Sequence, residues 1–140
     1  MAQSRSNLDT SQIVKAGGIQ RGGFTVAEYA TGVIPAGTVM GQVTASGKLL
    51  PITDVAAADG TKFPKFITQD AIDATAGDVT GVTVYTMGRV NEGKVNLENS
   101  LTLEDFITLG TNFAVTIRQA LRMIGLNVEA SDYIDEYENA

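Results

Sequence analysis

Cysteine, histidine and tryptophan are all missing from this chain of 140 residues. Without cysteine or histidine there are no disulfides, thiolate nucleophiles, Cys or His zinc ligands, imidazole general bases or histidine pH switches. Positive charge is scarce: 10 Lys and Arg face 16 Asp and Glu, a net charge of −6. Binding nucleic acid without sequence preference needs a basic face that displaces counterions, so this balance argues against it. Aromatic residues make up 6% of the chain, which is thin for a glycan site. No apolar run approaches the length of a membrane span. The opening MAQSRSNLDT has no hydrophobic centre of a secretory signal. The expectation from these absences is a soluble intracellular protein, with no enzymatic activity, cofactor, metal or membrane partner.

What is present suffices for one domain. Hydrophobic residues reach 44%, and 15 glycines imply many turns. The clearest organising stretch is Thr38–Ile52, TVMGQVTASGKLLPI. Val39, Gly41 and Val43 share one side of an extended run, and Met40 and Gln42 the other. A polar turn at Thr44–Gly47 leads to a second apolar run, the signature of a β-hairpin. Pro51 cannot donate to a ladder, which places it at an edge or a strand end.

The chain before this hairpin divides in two. Residues 1–22 are polar and glycine-containing and bury too little apolar surface alone to offset their ordering entropy. They read as a flexible N-terminal arm, with Ile13, Val14 and Ile19 as aliphatic anchors and Phe24 just beyond. Phe24–Tyr29 is rich in β-formers, and Pro35–Gly37 is a turn.

After the hairpin, Asp59–Gly60 marks a turn and Thr61–Thr68 runs extended around Pro64. Gln69–Asp78 is a loop. Val79–Gly88 alternates as a strand, and Arg89–Leu97 reads as strand, turn at Asn91–Gly93, strand. From Ser100 the periodicity changes. Ser100 or Thr102 suits an N-cap, Glu104 and Asp105 suit the positive end of a helix dipole, and Gly125 suits a C-cap. Apolar residues recur at three- and four-residue steps through Phe113, Ala114, Ile117, Ala120, Leu121 and Ile124. The spacing predicts a helix over about 102–124, with Gly110 as a kink or break. Residues 129–140 read as an acidic tail in which Tyr133, Ile134 and Tyr137 form a candidate docking stripe.

Chemistry-bearing constellations are weak. KAGGIQRGGF lacks the Gly-Lys-Ser/Thr ending of a phosphate loop. Asp70, Asp73 and Asp78 fail the spacing of an EF-hand and read as solvated loop carboxylates. Glu104 and Asp105 read as helix-terminal charges rather than a catalytic pair.

The order of elements carries a resemblance. Ala36-Gly37-Thr38-Val39-Met40-Gly41, Gly47-Lys48, Pro51, Asp59-Gly60, Val82-Thr83-Val84, Gly88-Arg89-Val90 and Leu121-Arg122-Met123-Ile124-Gly125-Leu126 follow one another as in the lambda-type head decoration proteins of tailed bacteriophages. Over residues 30–128 the chain resembles that family. Lys62–Ile67 departs from it, standing where the family carries small residues. The resemblance implies a mainly β (α+β) fold: a small sandwich or barrel-like, β-tulip type domain at 23–128, with a C-terminal helix and an extended N-terminal arm. It implies a homotrimer, with a dimer as the alternative, bound to the major capsid protein on the virion exterior after assembly in the host cytoplasm. There it resists the pressure of packaged DNA. Ile13, Val14, Ile19 and Phe24 are the candidate capsid-binding residues. Deleting residues 1–22 is then expected to abolish capsid binding and leave the fold intact. A dimeric jelly-roll cement protein and a β-rich host- or glycan-binding module are the other readings.

Overall fold

The computed structural model describes residues 12–109 and 113–130. Among the described residues eight strands and one α-helix succeed one another: β1 (Val14–Val26), β2 (Val39–Gln42), β3 (Leu49–Pro51), β4 (Phe66–Thr68), β5 (Val79–Asn91), β6 (Phe106–Thr108), β7 (Ala114–Thr116), α1 (Ile117–Met123) and β8 (Leu126–Glu129). The main sheet runs β1-β3-β2-β4-β5-β8, and β1 also pairs with β5. That extra pairing closes five strands into a barrel-like ring, so the fold is mainly β as the sequence indicates.

The expected hairpin is β2 and β3, with Met40 opposite Pro51 and Gln42 opposite Leu49. Pro51 is the last residue of its strand. Val39 and Met40 are both fully buried, on opposite faces. Val39 joins a core with Ile52, Ile67, Ile107, Ile117, Leu121 and Leu126. Met40 joins a second core with Val26, Ile34, Leu49, Ile72 and Val84. The hairpin therefore separates the two cores.

Gly41 sits where a neighbouring chain segment crosses. A Cβ there would collide with the backbone carbonyl of Thr61. That crossing segment is tied on both sides: Lys65 N–H donates to Met40 O at 2.9 Å, and Thr44 N–H to Asp59 O at 2.9 Å. Thr38 is buried as well. Its hydroxyl donates to Pro35 O at 2.6 Å and accepts from Asn96 Nδ2 at 2.9 Å. Asn96 forms only an isolated bridge to Thr38, so the strand expected after Asn91–Gly93 is reduced to that bridge, and a short 3-10 turn spans Glu92–Lys94.

Two expected boundaries change. The arm expected over 1–22 is paired strand from Val14 onward, antiparallel to β5 from Val14↔Val90 to Val26↔Val79. Backbone pairing holds this polar segment in place, and a ladder needs no apolar side chains. Residues 1–11 of the arm lie outside the described residues.

The helix expected over about 102–124 is confined to Ile117–Met123. Before it, β6 and β7 form a hairpin with Ile107 opposite Val115. Ile107, Val115 and Ile117 are buried at even spacing, a strand pattern that also fits steps of a helix. Thr116 starts the helix. Its side chain and that of Gln119 form a reciprocal capping box. The first helical N–H groups are met from the turn before β6, Ile117 N–H by Asp105 O and Arg118 N–H by Leu103 O, each at 3.0 Å. A helix this short is marginal alone, so the burial of Ile117, Ala120 and Leu121 holds it. It ends before Gly125, whose φ is +96°, as expected for a left-handed stop.

Candidate functional site

Long strand β1 carries Val14, Ile19 and Phe24 of the four candidate residues, with Ile13 just before it, and its geometry separates them. Ile13, beside its start, and Val14 are half-buried and pack on the first core. Phe24 meets Phe66 in a tilted ring contact with centroids 4.7 Å apart and packs on the second core. Ile19, midway along the strand, is 50% exposed. The structure does not bring the four into one patch. Ile19 instead lies opposite Met87 on β5, which is 45% exposed, so the pair forms a small apolar spot on the ribbon.

One edge of β1 pairs with β5. The other pairs with β3 only at Val26↔Leu49 among the described residues. Residues 16–23, AGGIQRGG, are all exposed along that open edge. Unpaired N–H and C=O groups in such a row are a template for another strand. Register shifts relative to β5 interrupt β1 at several points, and Gly17 and Gly23 adopt φ of +66° and +85°. Bulges of this kind twist an edge and limit indiscriminate pairing. Thr86 supports the middle of the ribbon, its hydroxyl donating to Ile19 O at 3.1 Å.

The base of the ribbon is fixed electrostatically. Arg89 on β5 grips Glu129 at the end of β8 with a forked pair of hydrogen bonds at 2.9 and 3.0 Å. Lys15 Nζ on β1 lies 3.2 Å from the same carboxylate, with its side chain largely buried. Hydrogen bonding from Arg89, aided by Lys15 and opposed by burial, holds the Glu129 carboxyl below the usual glutamate range. Glu129, expected to open the solvated tail, thus joins three strands. Residues 131–140 of that tail lie outside the described residues, Tyr133, Ile134 and Tyr137 included.

The loop aspartates also serve as ties. Asp78 bonds Lys48 Nζ at 2.5 Å and accepts from Glu28 N–H at 2.8 Å. Asp73 accepts from the Thr75 hydroxyl at 2.6 Å, closing a local turn. Among the described residues no group of three acidic side chains is arranged to hold a metal. No helix among them is long and apolar enough to cross a membrane.

Sequence reasoning missed the exposed apolar surface beside the β6–β7 hairpin. Phe113 was expected on the apolar face of a helix, yet it is 63% exposed, and Phe106 is 61% exposed. The polar residues that follow Ile107 and Val115, Thr108 and Thr116, were the available signal. Hydrogen bonding of Lys62 Nζ to Thr108 O at 3.0 Å ties this hairpin to the loop before β4.

The sequence profile described as bacteriophage lambda head decoration protein D matches residues 3–106. The match takes in the closed ring and β1 with its open edge, and it stops at the first residue of β6. No curated protein matches the chain. The matched family is a structural one of the phage head and not an enzyme family. The chain belongs to the bacteriophage lambda head decoration protein D family.

Proposed function

We propose that this protein binds the outer surface of the major capsid protein shell and stabilises the expanded head against the pressure of packaged DNA. Family membership supports the capsid role. The observation that carries the docking mode is the open edge of β1 across residues 16–23. A capsid strand laid against that edge gains main-chain hydrogen bonds, and Ile19 with Met87 supplies an apolar anchor beside it. Ile13, Val14 and Phe24 act here by holding the ribbon's ends to the two cores. Each contact is weak. Repetition over a symmetric shell, with the copies associated as trimers, raises net attachment through effective concentration. A protein that binds the expanded shell better than its alternatives shifts the shell toward that state. The protein joins the virion exterior from the host cytoplasm during assembly.

Co-sedimentation with expanded, empty capsids tests this reading. The full chain is expected to pellet saturably, and Ile19→Asp to weaken binding about tenfold while its melting curve stays in place. No saturable pelleting of the full chain, or equal binding by Ile19→Asp, defeats it. Deleting residues 1–22 no longer serves, because it removes most of β1. Deletion of residues 1–11 leaves the strand whole and asks the narrower question of what precedes it.

A further inference from the structure

An apolar groove lies between α1, the β6–β7 hairpin and the loop before β4. Phe63, Leu109, Val115, Met123 and Ile124 line it, with Lys65 at its rim, and it holds about 270 Å³. Met123 is 70% exposed there. The volume is just below that of usual small-molecule pockets, and no set of polar groups converges on it. It is shaped to take one or two large side chains.

We propose that this groove is filled by the acidic C-terminal segment of the same chain, residues 131–140, through Tyr133, Ile134 and Tyr137. Charge complementarity is the first argument. The segment carries Asp132, Asp135, Glu136 and Glu138 and no Lys or Arg. At the groove stands Lys65, which forms no ion pair with another described residue, and near it Lys62, whose ammonium is held at Thr108 O. Chain length is the second. α1 and β8 are consecutive and packed together, so the chain leaves β8 beside the helix that walls the groove. α1 is about 10 Å long, whereas seven extended residues reach about 23 Å. The segment therefore has enough chain to turn back along the helix. Chemistry of the anchors is the third. Tyrosine puts a large apolar ring into a groove and keeps its hydroxyl in water, as Lys65 at the rim requires. Docking would cover the apolar face.

Because the chain has no cysteine, introduced pairs report proximity without background. Thr108→Cys with Asn139→Cys leaves every proposed contact intact. Val33→Cys with Asn139→Cys, at an exposed apolar residue beside the second core, is the control. In the full-length chain at low salt, the first pair is expected to form an intrachain disulfide at least about tenfold faster than the control. That advantage should shrink as salt rises. It should vanish when Tyr133, Ile134 and Tyr137 are all changed to Ser, a change that leaves every groove residue as it is. Equal rates for the two pairs overturn the proposal. So does a predominantly interchain disulfide, which assigns the groove to a neighbouring copy.

Discussion

Replacing Gly41 by Ala adds one methyl group at the point where the hairpin dividing the two cores is crossed by the Thr61 backbone. The new Cβ would overlap the Thr61 carbonyl and its flanking backbone atoms, not a side-chain tip that can rotate away. The crossing segment has little freedom to retreat. Thr61 N–H is held by Asp59 Oδ1 at 3.0 Å and its hydroxyl by the same oxygen at 2.6 Å. Lys65 N–H to Met40 O, at 2.9 Å, fixes the far side. Overpacking in a filled interior costs about 1–3 kcal/mol. Losing one backbone hydrogen bond adds about 1 kcal/mol. Gly41→Ala is therefore expected to destabilise by about 2–4 kcal/mol. With a urea slope of about 2 kcal/mol/M, the midpoint falls by about 1–2 M. Gly77→Ala is the matched control: its φ is not in the left-handed region and nothing lies within 4 Å of the added carbon. There the same methyl group should leave stability unchanged or raise it by up to about 1 kcal/mol through the unfolded chain. Protein concentration is held fixed, since association shifts apparent stability. Two variants with midpoints within about 0.3 M of each other would refute the crossing geometry.

Leu121→Ala empties a fully buried site in the first core, and urea unfolding should show a loss of about 2–5 kcal/mol. Thr116→Ala removes the capping box of α1 and should cost about 1 kcal/mol by the same measurement. The Glu129 carboxyl has a lowered pKa in the folded state, so its ion pairs contribute stability that is complete above the unfolded value, roughly pH 4.3. That contribution is lost as pH falls through the lower folded value. Glu129→Gln should therefore flatten the acid limb of a stability–pH profile and lower the plateau near pH 7. An unchanged acid limb would show that the Lys15–Glu129–Arg89 cluster does not couple to folding.

Local turn chemistry and strict alternation made part of this fold legible. Val39–Gln42 and Leu49–Pro51 were evident because a polar, glycine-containing turn separates two apolar runs. The start of β5 was evident from the alternation of Val82 and Val84 with polar neighbours. β1 was hidden because AGGIQRGG shows no alternation, and its order comes from a distant partner more than fifty residues along the chain. The helix was over-extended because Ile107, Val115 and Ile117 satisfy strand and helix spacing together, and only the capping box at Thr116 marks the true start. Ile13, Val14 and Ile19 were chosen for being aliphatic in a polar segment, and Phe24 as the apolar residue just beyond it. That criterion could not tell exposed Ile19 from Ile13, Val14 and Phe24, which the two cores draw inward.

Electron cryo-microscopy of expanded heads carrying this protein bears most directly on how it holds the shell. The expected density is a capsid strand alongside residues 16–23 of β1, with Ile19 and Met87 covered. A map in which that edge faces open solvent while the protein sits on the shell by another surface would contradict the account.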